Sequence, residues 1–205
     1  MKARRVLIVS VILIIGALIA MQALAQEKKQ TGQKQSSQDE MMAMYMKYAT
    51  PGEQHKALEP LVGSWDCVTR MWMDPKAPPT ESKGTSETKW ILGGRFVQED
   101  VSGDMNGMPF HGMGISGYDL YKQKYNWIWM YEMSTMIMYS EGTADSSKKV
   151  ITYAGTYNDY ASGQTKTYIA VLNIIDSNKH TFEMGDQGPD GKLSKNFEIT
   201  YTRKK

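Results

Sequence analysis

Beyond Gly63 the chain is a succession of extended stretches, each about eight to eleven residues long, whose side chains alternate in character or are apolar on both faces. They fall at 65–73, 84–92, 95–102, 109–118, 124–132, 135–144, 148–157, 164–175, 179–186 and 192–203, and no segment in this range carries a helical period. Turn chemistry separates them. Gly93-Gly94 suits a two-residue hairpin, and Asn106-Gly107 and Asp176 to Asn178 mark further reversals. In Pro189-Asp190-Gly191 the proline presets one dihedral while the glycine permits positive φ. Links this short make sequential strands antiparallel neighbours.

The residues ahead of this region follow other patterns. Residues 26–38, QEKKQTGQKQSSQ, contain no apolar side chain, so no burial offsets the entropy of ordering them, and a disordered tether is expected. Residues 39–62 predict one or two short helices. In the first, Asp39 is placed to cap a stretch in which Met42, Tyr45, Met46 and Ala49 recur at three and four residues. In the second, Thr50-Pro51-Gly52-Glu53 has capping-box spacing, and Leu58, Leu61 and Val62 form an apolar stripe that Gly63 ends.

Ten consecutive antiparallel strands either fold over as two sheets or close into a barrel, and closure alone removes both exposed edges. The expected architecture is therefore an all-β, ten-stranded antiparallel up-and-down barrel over residues 63–205. Such a barrel sets the start of its first strand beside the end of its last, so Trp65 should meet Arg203 just after Gly63. A guanidinium over the indole would account for Trp65 without any ligand.

The N-terminus changes the picture of where this barrel works. MKARR, an uncharged run from Val6 to Met21, and Ala23-Leu24-Ala25 read as a signal peptide over residues 1–25, cleaved near Ala25. The run is shorter than the ~20 apolar residues of a membrane span, so an exported protein, periplasmic or extracellular, with no stable span after cleavage is expected. The chain holds 24 Lys and Arg against 22 Asp and Glu, and losing Lys2, Arg4 and Arg5 leaves 21 against 22. That balance offers nothing to nucleic acid. A single cysteine, Cys67, excludes an internal disulfide.

Several long motifs carry a resemblance: HKALEPLVGSW (55–65), MWMDPKAPP (71–79), WILGGRFVQE (90–99), GPDGK (188–192) and FEITYTRK (197–204). They resemble, in order, the secreted bacterial family known as domain of unknown function 1579. The helix, Gly-x-Trp and terminal Arg also look like the lipocalin and wider calycin arrangement. The resemblance implies a calycin-like barrel and no activity. Nitrobindin-type haem barrels are a more distant likeness in shape. They use a proximal His near the C-terminus, where this chain has only Lys, Arg, Thr and Tyr in ITYTRKK, so haem does not carry over.

Candidate chemistry in the residues themselves is sparse. Gly112, Gly114 and Gly117 spell G-x-G-x-x-G, but that fingerprint needs a helix N-terminus for the pyrophosphate, and a strand follows instead. Glycines here let a strand bend strongly at a barrel corner. His55, His111 and His180 lack metal-site spacing, and no nucleophile elbow is present. No catalytic residue, metal ligand set or cofactor is indicated, and enzyme status rests on nothing positive. Cuprous copper held by some of the 16 methionines is the side alternative to Met as a filler of irregular apolar space.

The aromatic run YNWIWMYEMSTMIMYSEG, 125–142, says more. Tyr125, Trp127, Trp129 and Tyr131 share one strand face and Ile128 and Met130 the other, so one face lines the interior while the other meets the Met-rich helix or another subunit, as in a homodimer. Barrels beyond eight strands are too wide for side chains alone to fill. The expectation is a binding module for a small apolar or amphipathic molecule, with Trp65, Trp127, Trp129, Met136, Ile137 and Tyr139 around it and His111 giving a polar contact. A solidly packed structural barrel that pairs through its outer face is the rival reading.

Overall fold

The computed structural model describes residues 21, 26–29, 34–74, 76–105, 107–187, 190–191 and 193–205. The leader expected over residues 1–25 lies outside them, apart from Met21. Among the described residues no helix is long and apolar enough to cross a membrane. Two compact units are present, the second spanning Thr50–Lys205.

In the first unit residues 26–29 and 34–49 are helical, the latter forming α1, and every residue of α1 is exposed. The described parts of the expected tether are thus helical, and Asp39 lies inside the helix instead of capping it. Gln35 Nε2 donates to Asp39 Oδ1 at 3.1 Å and Ser36 Oγ to Glu40 Oε1 at 3.4 Å, one turn on. Such pairs, on residues of good helix propensity, stabilise a helix that buries nothing.

The second unit begins with α2, Glu53–Lys56, capped by Gly52 and not by Thr50. The Gly52 N–H donates to His55 Nδ1 at 3.1 Å. A single 3₁₀ turn, Glu59–Leu61, follows. Leu58 and Leu61 sink into the main core at 0% and 8% exposure, so this segment belongs with the barrel. The apolar stripe seen in the sequence is therefore the face of a plug. Tyr125 Oη donates to the Gln54 carbonyl and Trp90 Nε1 to Glu59, which tie the plug to the barrel end.

Ten strands then run antiparallel: β1 Gly63–Met71, β2 Thr80–Ile91, β3 Phe96–Met105, β4 Met108–Asp119, β5 Lys124–Tyr131, β6 Met138–Ala144, β7 Val150–Asp159, β8 Gln164–Asp176, β9 Lys179–Gln187 and β10 Leu193–Arg203. Each pairs with its sequence neighbours, and β1 also pairs with β10, closing the barrel. β6 starts three residues later than the sequence pattern suggested. The Ser134 N–H bonds back to the Tyr131 carbonyl and Ser134 Oγ accepts from the Met136 N–H, which holds 132–137 in a loop.

Closure is fixed at one end by Arg203. It stands opposite Trp65 in the β1–β10 register, with its guanidinium carbon 4.1 Å from the indole centroid. The guanidinium donates to the carbonyls of Val62, Pro60 and Ser177, and Trp65 Nε1 donates to the Leu61 carbonyl at 2.9 Å. One side chain thus joins the plug, the first strand, the last strand and the β8–β9 turn. Gly63 makes room for it: φ is +134°, and a Cβ there would collide with Arg203 Nη1.

Gly63→Ala therefore suffers both backbone strain and displacement of the guanidinium, whereas Gly94→Ala, with φ +80° and nothing within 4 Å, suffers strain alone. Strain of this kind costs about 1–3 kcal/mol. In urea unfolding, Gly63→Ala should lose about 2 kcal/mol or more and clearly exceed the loss in Gly94→Ala; equal losses would show that the Arg203 contact contributes nothing.

Candidate functional site

Along β5 the inward residues are Tyr125, Trp127, Trp129 and Tyr131, and two of the glycines that face them decide how they lie. A Cβ on Gly112 would strike the Trp129 ring, and one on Gly114 would come within 3.3 Å of it. On Gly117 a Cβ would reach Phe96 at 2.5 Å. The glycine triplet on β4 thus provides recesses for aromatic rings, within a strand that ends in a turn and not a helix N-terminus. Trp129 lies 6.1 Å from Trp127 at an interplanar angle of 15°, and 6.5 Å from Phe110 at 20°. Phe182 extends the row, 5.0 Å from Trp127. The result is an aromatic wall along the barrel.

Beside this wall is a cavity of about 300 Å³, at the end of the barrel away from Trp65. β10, which carries Phe197 and Ile199 into the lining, lies five strands round the barrel from β5. Met71, Val101, Met138 and Met184 add apolar surface. A deeper chamber of about 40 Å³ is lined by Thr88, Ser116, Tyr153 and His180, and Glu99, Trp127, Phe182 and Tyr201 contribute to both spaces.

Thr69, Ser82, Lys83, Ser102 and Asp104 also line the larger cavity, and a buried carboxyl stands where the two spaces meet. Glu99 Oε1 accepts from Ser86 Oγ at 2.9 Å, Ser86 Oγ lies 3.4 Å from Thr88 Oγ1, and the Tyr201 hydroxyl bonds to the same carboxyl. Burial pushes the Glu99 carboxyl above its ordinary range, against the pull of these two hydroxyls. Burial likewise raises Tyr201, with the Glu99 charge adding to it, and pushes the Cys67 thiol up to about 12. Cys67 is accordingly a thiol at neutral pH and a poor nucleophile. His180 is sandwiched between Tyr201, stacked at 4.1 Å, and the edge of Trp65 at 4.4 Å. Burial, then the Arg203 charge, holds it down at about 3, so the ring is neutral.

The side chains expected around a ligand divide sharply. Trp127 and Trp129 line the cavity. Trp65 is fully buried in the closing contact and lines neither space. His111 is exposed, because the inward residues of β4 are Gly112 and Gly114. Ile137 and Tyr139 are 63% and 46% exposed, and Met136 packs against the core without lining the cavity. The reason is register: Trp129 pairs with Met138, so Met138 and Ser140 face inward, and an offset of one residue reverses every side chain of a strand. Ile115, Ile128 and Tyr139 form a half-covered apolar row on the outside. The carboxyl at the junction was missed, although Val97-Gln98-Glu99-Asp100-Val101 sets Glu99 on the same face as two buried valines. Among the described residues no group of three or more His, Cys, Asp or Glu is placed to hold a metal.

The pH dependence of folding carries the signature of His180. Its folded pKa lies below its unfolded value of about 6.5, so the unfolded chain binds the proton first and stability falls as pH drops from about 6.5 towards 3. His180→Phe, which keeps a ring between Trp65 and Tyr201, removes this contribution. Urea midpoints at pH 7, 6, 5 and 4 should shift progressively in favour of the variant; a constant offset would mean that His180 is not held neutral.

Residues 50–203 match the family described as "Protein of unknown function (DUF1579)". No curated protein matches the chain. Among solved structures, Rv2717c from M. tuberculosis is similar with a TM-score of 0.50 at 15% identity, covering 76% of this chain and 100% of that one. A de novo designed fluorescence-activating β-barrel is also similar, with a TM-score of 0.41 at 15% identity over 72% of this chain and 97% of that one. At such identity the likeness to Rv2717c shows the shared barrel fold alone.

Proposed function

Because the chain belongs to the DUF1579 family, whose description assigns no activity, we propose a function from the barrel interior itself: an exported binding module that encloses one small apolar or amphipathic molecule. The observation that carries this reading is the cavity of about 300 Å³ beside the row Phe182, Trp127, Trp129 and Phe110. That volume stands at the lower end of small-molecule sites, which are apolar clefts with a few placed polar groups. Glycines at 112 and 114 favour the same reading, since side chains there would fill the space that Trp129 now occupies. Flat or ring-containing occupants suit such a wall, because stacked and offset contacts with indole rings add to simple area burial. Export is supported by the basic N-terminus, the apolar run and Ala23-Leu24-Ala25.

The test uses N-phenyl-1-naphthylamine, a dye whose emission rises in apolar surroundings. Saturable binding of one dye per chain, with quenching of tryptophan emission, is the expected result. Ile199→Trp places an indole in the cavity and should weaken the dye at least tenfold while the circular dichroism of the barrel is unchanged. Dye uptake that does not saturate, or that is indifferent to Ile199→Trp, would refute a specific internal site.

A further inference from the structure

The junction between the two spaces is built for something more particular than apolar matter. Glu99 already receives Ser86 Oγ and the Tyr201 hydroxyl, and among the described residues no Lys or Arg side chain is paired with it or lines the inner chamber. His180 and Tyr153 line the same chamber and are 5% and 1% exposed, and His180 Nδ1 and the Tyr153 hydroxyl have no hydrogen-bond partner among the described residues. Buried polar atoms are seldom left unpaired, and a buried carboxylate without a cation is costly. A chamber of about 40 Å³ has room for a small head group, at about 10–15 Å³ for each water-sized unit.

Resting on the reading of the barrel as a binding module, we propose that its ligand is a primary amine on an apolar or aromatic tail, the ammonium held by Glu99 in the inner chamber that His180 also lines, while the tail lies along Trp127 and Trp129. An ammonium carries three N–H donors and no acceptor, which suits an acid without a counter-charge. The raised pKa of Glu99 agrees with a carboxyl lacking its counter-charge. Trp127 bridges the two ends: a Cβ on Gly114 would lie 3.5 Å from both Glu99 Oε2 and Trp127 Nε1, so the carboxyl sits beside the first ring of the aromatic wall. Arg203, whose charge reaches His180, directs its guanidinium at the carbonyls of Pro60, Val62 and Ser177 and away from the chamber. A carboxylate head group would meet hydroxyl donors in the chamber but also the Glu99 carboxyl, so fatty acids and aryl acids are disfavoured relative to an amine.

Competition against bound N-phenyl-1-naphthylamine at neutral pH decides it, with three ligands of similar size: 2-phenylethylamine, propylbenzene and phenylacetate. The amine should displace the dye at a concentration at least tenfold below propylbenzene, and phenylacetate should not displace it. Glu99→Gln, which keeps an oxygen for Ser86 and Tyr201 to bond, should bring the amine to the level of propylbenzene and leave propylbenzene unchanged. Equal displacement by amine and hydrocarbon, stronger displacement by phenylacetate, or displacement by none of the three overturns the amine assignment while dye binding upholds the cavity. Failure of the wild-type chain to bind the dye overturns both. Should Glu99→Gln not fold, the three-ligand comparison on the wild-type chain decides alone.

Discussion

The barrel depends on the contact between Arg203 and Trp65. An up-and-down sheet has two raw edges, and joining β1 to β10 brings together residues separated by nearly the whole domain, so loop closure gives nothing back until the last pairing forms. Arg203 answers this with interactions that require closure: two carbonyls at the end of the plug, one in the β8–β9 turn, and an indole face. A cation over an exposed aromatic ring adds only about 0.5–1 kcal/mol, but a desolvated one about 2 or more, and Trp65 is fully buried. The same guanidinium satisfies carbonyls at the end of the plug that no strand pairs. Sheet closure and plug docking are therefore one event, and Gly63 is the residue whose missing side chain permits it.

Closing ten strands creates the second constraint, an interior too wide to be packed solid by aliphatic side chains. The chain responds differently at its two ends. Near the plug, Leu58, Leu61, Tyr125, Tyr153 and Ile151 fill the space. Toward the other end, glycines stand on β4 where side chains would otherwise project, and Trp127 and Trp129 line the void without closing it. The glycines of β4 thus seat Trp129 against the strand, and the cavity of about 300 Å³ lies beside the aromatic row they position.

How far the sequence disclosed this follows from which physical signals are local. Strand number, antiparallel order and the Trp65–Arg203 closure are legible, because period-two alternation and turn residues act over a few positions and topology supplies the rest. The helix over 34–38 is not legible from apolar patterning, since Gln35 and Ser36 bond along the helix and bury nothing. The inward face of β6 is lost for another reason. Residues 132–137 form a loop whose end depends on Ser134 bonding to its own neighbours, and where the loop ends sets the parity of all that follows. The more apolar of the two faces, Ile137 with Tyr139, is the outward one, so hydrophobicity misleads against Met138 with Ser140.

Glu99 shows what the same alternation can reveal when it is broken. A strand that buries Val97 and Val101 places the residue between them inside, and an acid there is a large penalty unless something offsets it. Ser86 and Tyr201 offset part of it through hydrogen bonds, yet neither brings charge. A glutamine offers one acceptor oxygen in place of two but no ionic penalty, so hydrogen bonding to the two hydroxyls does not by itself require a charged group. Nor does structural stability, because an apolar residue of similar size would remove the need for either hydroxyl. What separates glutamate from both alternatives is its capacity to meet a cation. Among the described residues no Lys or Arg side chain is paired with it, and a neutral His180 lines the same chamber, so the proposed ammonium supplies the counter-charge that the pairing of this carboxyl lacks.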